Sequence, residues 1–168
     1  MLCCLVFICL FYSNIIMNVF ICMEGFQLGR LFVPKEVTVL SEGEEWRHFL
    51  LLPPTTTLSE NDNRTIRYTT RNVHEITWTD GDIPHYSIHS ILRKFQDSTI
   101  YTYGYSTTNY LRSVLPTTVI VDVQKEGYEM ADVLPKKGCF LIHDPRHCSL
   151  AKAHAVRDYT FTGIKVEQ

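Results

Sequence analysis

Met17-Asn-Val-Phe-Ile-Cys-Met23, closed by Glu24-Gly25, decides how the chain is read. It is a short apolar run with one polar member near its start, the length of a buried strand, and Glu24 is the first charge in the sequence. Upstream the hydrocarbon continues, since Met1 to Tyr12 is almost wholly apolar and no charged residue occurs between Met1 and Met23. A spanning helix wants about 20 predominantly apolar residues. Ser13, Asn14 and Asn18 interrupt this one, and no Lys or Arg precedes it as the start of a signal peptide requires. Two readings stand. In one, residues 1–16 are an apolar extension before a core strand beginning at Met17, in an intracellular protein of nucleus or cytoplasm. In the other, residues 1–23 are a signal or anchor segment of a secreted or membrane-anchored chain.

Downstream of Glu24 the pattern continues as strands. Leu31-Phe-Val with Glu36-Val-Thr-Val-Leu40 forms the second and Trp46 to Leu52 the third. Gly25, Gly29 and Ser41-Glu-Gly43 mark the junctions, and Pro53-Pro54 cannot continue a paired strand, so an antiparallel meander is expected. Thr55 to Arg71 is rich in Thr, Asn, Ser and Asp and reads as a long surface excursion. Beyond Pro84 the period changes. Ile88, Ile91, Leu92 and Phe95 share one helical face, Ser98 to Tyr103 is a short strand, and Ser106 to Leu115 is a helix stopped by Pro116. Thr118 to Val123 reads as a strand buried on both faces, and Cys148 to Tyr159 as a last helix with Leu150, Ala151, Ala155 and Tyr159 in a stripe. Strands followed by alternating helices and strands predict an α/β fold with a mixed sheet: an antiparallel three-strand meander, then parallel strands, flanked by helices.

Composition bounds the function classes. The chain has 168 residues, 45% apolar and 20% charged, which describes one globular domain and excludes collagen-like, coiled-coil and low-complexity chains. Sixteen Lys+Arg against eighteen Asp+Glu give a net charge of -2, so any affinity for nucleic acid must come from a local patch. Of six cysteines, Cys3, Cys4 and Cys9 lie in the apolar leader, leaving an odd set of Cys22, Cys139 and Cys148 that suits a metal better than a disulfide framework. The sequon Asn63-Arg64-Thr65 has meaning only in a secreted chain.

The densest functional cluster is Cys139-Phe-Leu-Ile-His143-Asp-Pro-Arg-His147-Cys148. Thiolates and imidazoles in so short a loop can converge on one tetrahedral Zn²⁺, with Pro145 enforcing the turn; the alternative is a pair of buried structural thiols. Glu24, at the end of the first strand, is either a ligand or catalytic carboxylate or a solvated turn residue.

Phe20-Ile-Cys-Met-Glu24-Gly-Phe resembles the strand of DEDD-type 3′ to 5′ exonucleases of the RNase H-like superfamily that ends in Asp-x-Glu-x. His147-Cys-Ser-Leu-Ala-Lys152-Ala is similar to their last motif, a His followed five positions later by Asp on the C-terminal helix. The likeness runs from Met17 to Tyr159 and implies one RNase H-like domain over residues 17–168. In the active enzymes four carboxylates hold two Mg²⁺ ions for phosphodiester hydrolysis. Here Cys22 and Lys152 stand at the first and last Asp positions, and Asn109 is the nearest polar residue for the one on the second helix.

A branch of that superfamily, the Maelstrom domain, also lacks the catalytic carboxylates and binds zinc. Its Glu, Cys or His, His and Cys ligands are matched in kind and order by Glu24, Cys139, His143 and Cys148. The resemblance implies a catalytically degenerate exonuclease fold with no catalytic residues, a structural Zn²⁺ tying the first strand to the last helix, and nucleic acid, RNA or single-stranded DNA, as partner. Arg64, Arg67 and Arg71 on the Thr-rich excursion, with Tyr101, Tyr103 and Tyr105 near the sheet edge, are the candidate contacts, combining phosphate pairing with base stacking. The rivals are a residual metal-independent ribonuclease using His147 with Glu24, and a secreted or membrane-anchored protein-interaction module.

Overall fold

A computed structural model describes residues 17–42, 47–130 and 147–162. Its elements follow in the order β1 (Asn18–Leu28), β2 (Leu31–Ser41), β3 (Arg47–Leu50), α1 (Glu60–Thr69) with a π-helical turn at Thr70–His74, α2 (Ser87–Arg93), β4 (Thr99–Thr102), α3 (Tyr105–Val114), β5 (Val119–Asp122) and α4 (Ser149–Thr162). The strands form one sheet in the order β3-β2-β1-β4-β5. β1, β2 and β3 are antiparallel, and β4 and β5 run parallel to β1. The α/β class, the meander and the added parallel strands are those expected from the sequence.

β1 is the middle strand, which explains why its sequence is a continuous apolar run. Side chains alternate across the sheet, so Val19, Ile21 and Met23 enter one core with Val37, Val39, Ile88, Leu92 and Leu111. Phe20 and Cys22 enter the other, with Leu40, Cys148, Leu150, Ala153 and Val156. Alanines on α4 let that helix approach the sheet closely. Its buried set is Ser149, Leu150, Ala151, Ala153 and Val156, whereas Ala155 and Tyr159 of the expected stripe are half-buried. Among the described residues no helix is long and apolar enough to cross a membrane, and Asn18–Met23 belong to the central strand.

Three expectations are corrected. Thr55 to Arg71 is not wholly an excursion, because Ser59 caps a helix at Glu60: its hydroxyl accepts from the Asp62 N–H and the Asp62 carboxylate accepts from the Ser59 N–H, a capping box. Ile66 is the one buried residue of that helix and packs beside Phe26, Val33 and Trp78, so a single apolar anchor replaces the stripe that periodicity looks for. Among the described residues β5 is the last strand of the sheet, and it is not doubly buried: Val119 is exposed and Ile120 and Val121 are only partly covered. Tyr101 lies on β4, an inner strand, so it is not at a sheet edge.

The pairing of β1 with β2 carries a bulge. Glu24 faces Glu36 and Gly25 faces Pro34, which leaves Lys35 as the extra residue of β2. A Cβ on Gly25 would stand 2.2 Å from the Val33 carbonyl oxygen, so the backbones meet here only because position 25 has no side chain. The bulge sends Lys35 inward, fully buried, where its ammonium donates to the carbonyls of Leu51 (2.5 Å), Trp78 (2.7 Å) and Asp80 (2.5 Å). Three donors meet three acceptors, and the segment after β3 is fastened to the sheet. Burial, opposed by the nearby Asp80 charge, pulls the Lys35 ammonium down to about 8.

Candidate functional site

The face of the sheet that α4 covers carries two of the buried charged residues, Glu24 and Glu36. Glu24 and Glu36 are cross-strand partners, so their carboxylates share this face, an arrangement that is unfavourable for like charges unless each is answered. Both are answered. Lys152, one turn into α4, forms an ion pair with Glu24, both groups being largely buried. Glu36, fully buried, accepts from the Ser149 N–H at 2.7 Å through Oε2 and lies 2.8 Å from His48 Nε2 through Oε1. An acceptor-only carboxylate requires that Nε2 carry the proton. The Ser149 hydroxyl meets Thr38 Oγ1 at 2.8 Å, so the start of α4 is bonded to two β2 side chains.

Burial opposes the charge on Lys152, but the charge and hydrogen bond of Glu24 outweigh it and hold the ammonium above its ordinary value. Cys22, on the same face, behaves oppositely. Burial pushes its thiol up to about 12 despite the neighbouring Lys152, so at neutral pH it is a protonated, inert core thiol. Asp122, buried at the end of β5, accepts from Thr108 Oγ1 at 2.9 Å and from the N–H groups of Gly104 and Gln124 at 3.2 Å each. Its oxygens fix the start of α3 to the strand end.

Among the residues expected from the sequence, Glu24 and Cys148 lie on this face, while Cys139 and His143 lie outside the described residues. Cys148 is buried and immediately precedes Ser149, whose N–H donates to the Glu36 carboxylate. Glu36 and His48 meet in a hydrogen bond. Among the described residues no group of three or more His, Cys, Asp or Glu is placed to hold a metal ion. Glu36 and His48 are the residues that sequence reasoning passed over. The available signal was a carboxylate placed inside an apolar strand, Glu36 before Val37-Thr-Val-Leu40.

The expected nucleic-acid contacts separate into two groups. Arg64, Arg67 and Arg71 are exposed along α1 and its π-helical turn. Tyr101 and Tyr103 are half-buried instead, Tyr101 stacked on Phe20 at 5.6 Å and Tyr103 edge-on to Tyr128 at 6.2 Å. Tyr105 is exposed. Asn63 of the sequon lies within α1 and donates to the Ser59 carbonyl, a helical placement unlike the surface loop that glycosylation favours. The sequence matches no family model and no curated protein.

Proposed function

We propose that the chain is a catalytically degenerate domain of exonuclease ancestry that binds nucleic acid and carries a structural zinc. The observation that supports this most is the Lys152–Glu24 ion pair beside protonated Cys22. Under the resemblance, these three positions correspond to the carboxylates that concentrate Mg²⁺ in active nucleases. Here one is a neutral thiol, one is a cation, and the remaining carboxylate is neutralised by that cation. Such a site offers a divalent ion no net negative charge, so two-metal phosphodiester hydrolysis has no basis in these residues.

Zinc is assigned to Cys139, His143 and Cys148, with a carboxylate from the α4-covered face. Glu24 is the carboxylate that the resemblance implies, and Glu36 is the one hydrogen-bonded next to Cys148. Bound there, zinc would supply folding free energy by crosslinking Cys139 and His143 to the start of the last helix. Cys148 brings a thiol, and the Ser149 N–H and His48 orient Glu36.

Metal analysis of the purified full chain tests the assignment, with zinc near one per chain expected and loss in Cys148→Ser. Glu24→Gln and Glu36→Gln identify the carboxylate, since only the ligand's replacement should lower zinc content. Zinc retained by a Cys139→Ser/Cys148→Ser double variant refutes the site. Robust Mg²⁺-dependent degradation of single-stranded RNA refutes the degenerate reading, and cleavage that persists in EDTA replaces it with a metal-independent ribonuclease.

A further inference from the structure

α1 presents an exposed face whose composition differs from the rest of the molecule. At 3.6 residues per turn, Arg64, Arg67, Tyr68 and Arg71 fall within an arc of about 100°, while Ile66, on the far side, is buried against Phe26, Val33 and Trp78. Tyr68 is 66% exposed, and its neighbours one turn away on either side are Arg64 and Arg71. Arg64 reaches Glu60 at 3.7 Å, but both side chains are largely in solvent, so the contact is weak and exchangeable. Arg67 and Arg71 form no ion pair among the described residues.

This face is held rigidly. The capping box fixes where the helix starts, and the segment that follows the π-helical turn is tied to β2 through Lys35 and the carbonyls of Trp78 and Asp80.

We propose that this face binds a single-stranded nucleic acid, Tyr68 stacking an unpaired base while Arg64, Arg67 and Arg71 pair with backbone phosphates. The proposal rests on the nucleic-acid reading above and gives it a surface and a strand preference. Charge complementarity selects a polyanion, because three cations stand together on a chain whose net charge is -2. The exposed ring selects a single strand, because a duplex keeps the faces of its bases stacked on one another, whereas an unpaired base can lie on tyrosine. Tyr68 takes the stacking role that the sequence suggested for Tyr103, whose ring packs against Tyr128.

Fluorescence anisotropy tests the proposal, using the full chain, labelled oligouridine, and the same strand annealed to oligoadenine as duplex. Tyr68→Ala should weaken single-strand binding about fivefold or more, with the salt slope and the weaker duplex binding unchanged. Tyr68→Phe should bind like the wild type. Arg67→Ala and Arg71→Ala should each flatten the slope of log K against log salt by about 0.7. Wild-type binding that Tyr68→Ala leaves intact overturns the stacking role, and an unchanged salt slope in both arginine variants moves the surface elsewhere; the broader nucleic-acid reading survives either result. No binding by the wild type at low salt overturns both.

Discussion

Lys152→Met removes the ammonium from Glu24 while keeping an unbranched side chain of similar length on α4. The Glu24 side chain is 11% exposed and that of Lys152 19%, so little water is available to replace the lost partner. Breaking a buried pair on one side costs about 3 to 5 kcal/mol, and the residual exposure places this case near about 3 kcal/mol by the same rule. Glu24→Gln should cost less, about 1 kcal/mol, because the long Lys152 stem can turn its charged end toward solvent and the amide still accepts a hydrogen bond. The double variant leaves no buried charge. It should lie closer to the wild type than the two single losses combined, with a coupling of about 2 kcal/mol. Urea unfolding of all four proteins, followed by tryptophan fluorescence, measures the cycle, and Trp78 is a buried reporter. A loss under about 1 kcal/mol with coupling under about 0.5 kcal/mol would refute the view that this pair neutralises the site.

Two further outcomes concern the bulge. Lys35→Met should destabilise the fold by about 3 kcal/mol or more, since three buried carbonyls lose their donor at once. The folded pKa of Lys35, about 8, lies below its ordinary value of 10.5, so the unfolded chain binds more protons between these two values. Wild-type stability should therefore rise with pH across that window, and the rise should be missing from Lys35→Met in the same urea assay. Gly25→Ala should cost about 2 kcal/mol or more by overpacking against the Val33 carbonyl, measured as a lower urea midpoint with an unchanged slope.

What could be read in advance was whatever a repeating pattern writes. β1 was legible because a strand with cores on both faces must be apolar at every position. α2 was legible because Ile88 and Leu92 recur at helical spacing. α1 was not, since it touches the core through Ile66 alone and its evidence is a capping box of two polar residues within a Thr- and Asn-rich stretch. β5 was misjudged because a strand at the end of the described sheet can be as rich in valine and isoleucine as a central one. Sequence records the residue types and leaves the strand order to the fold.

The candidate site divides along the same line. Cys148 and Glu24 were legible as chemistry, a thiol in a run with histidines and a carboxylate closing an apolar run, but the expected strand end is not there: β1 continues to Leu28 and holds Glu24 mid-strand. The pairing of Glu24 with Lys152, separated by more than a hundred residues, depends on α4 crossing β1, and no local pattern reports it. Glu36 was hidden for a related reason. In sequence it is one polar residue in the second strand, but antiparallel register sets it opposite Glu24, and two carboxylates facing each other in a core require two separate answers. Lys152 supplies one; His48 with the Ser149 N–H supplies the other. The two answers differ in chemistry. An ammonium neutralises its carboxylate, whereas an imidazole and a backbone N–H hold theirs in one orientation. A divalent ion drawing on this face would therefore have to displace Lys152 from Glu24, or compete with His48 and the Ser149 N–H for Glu36.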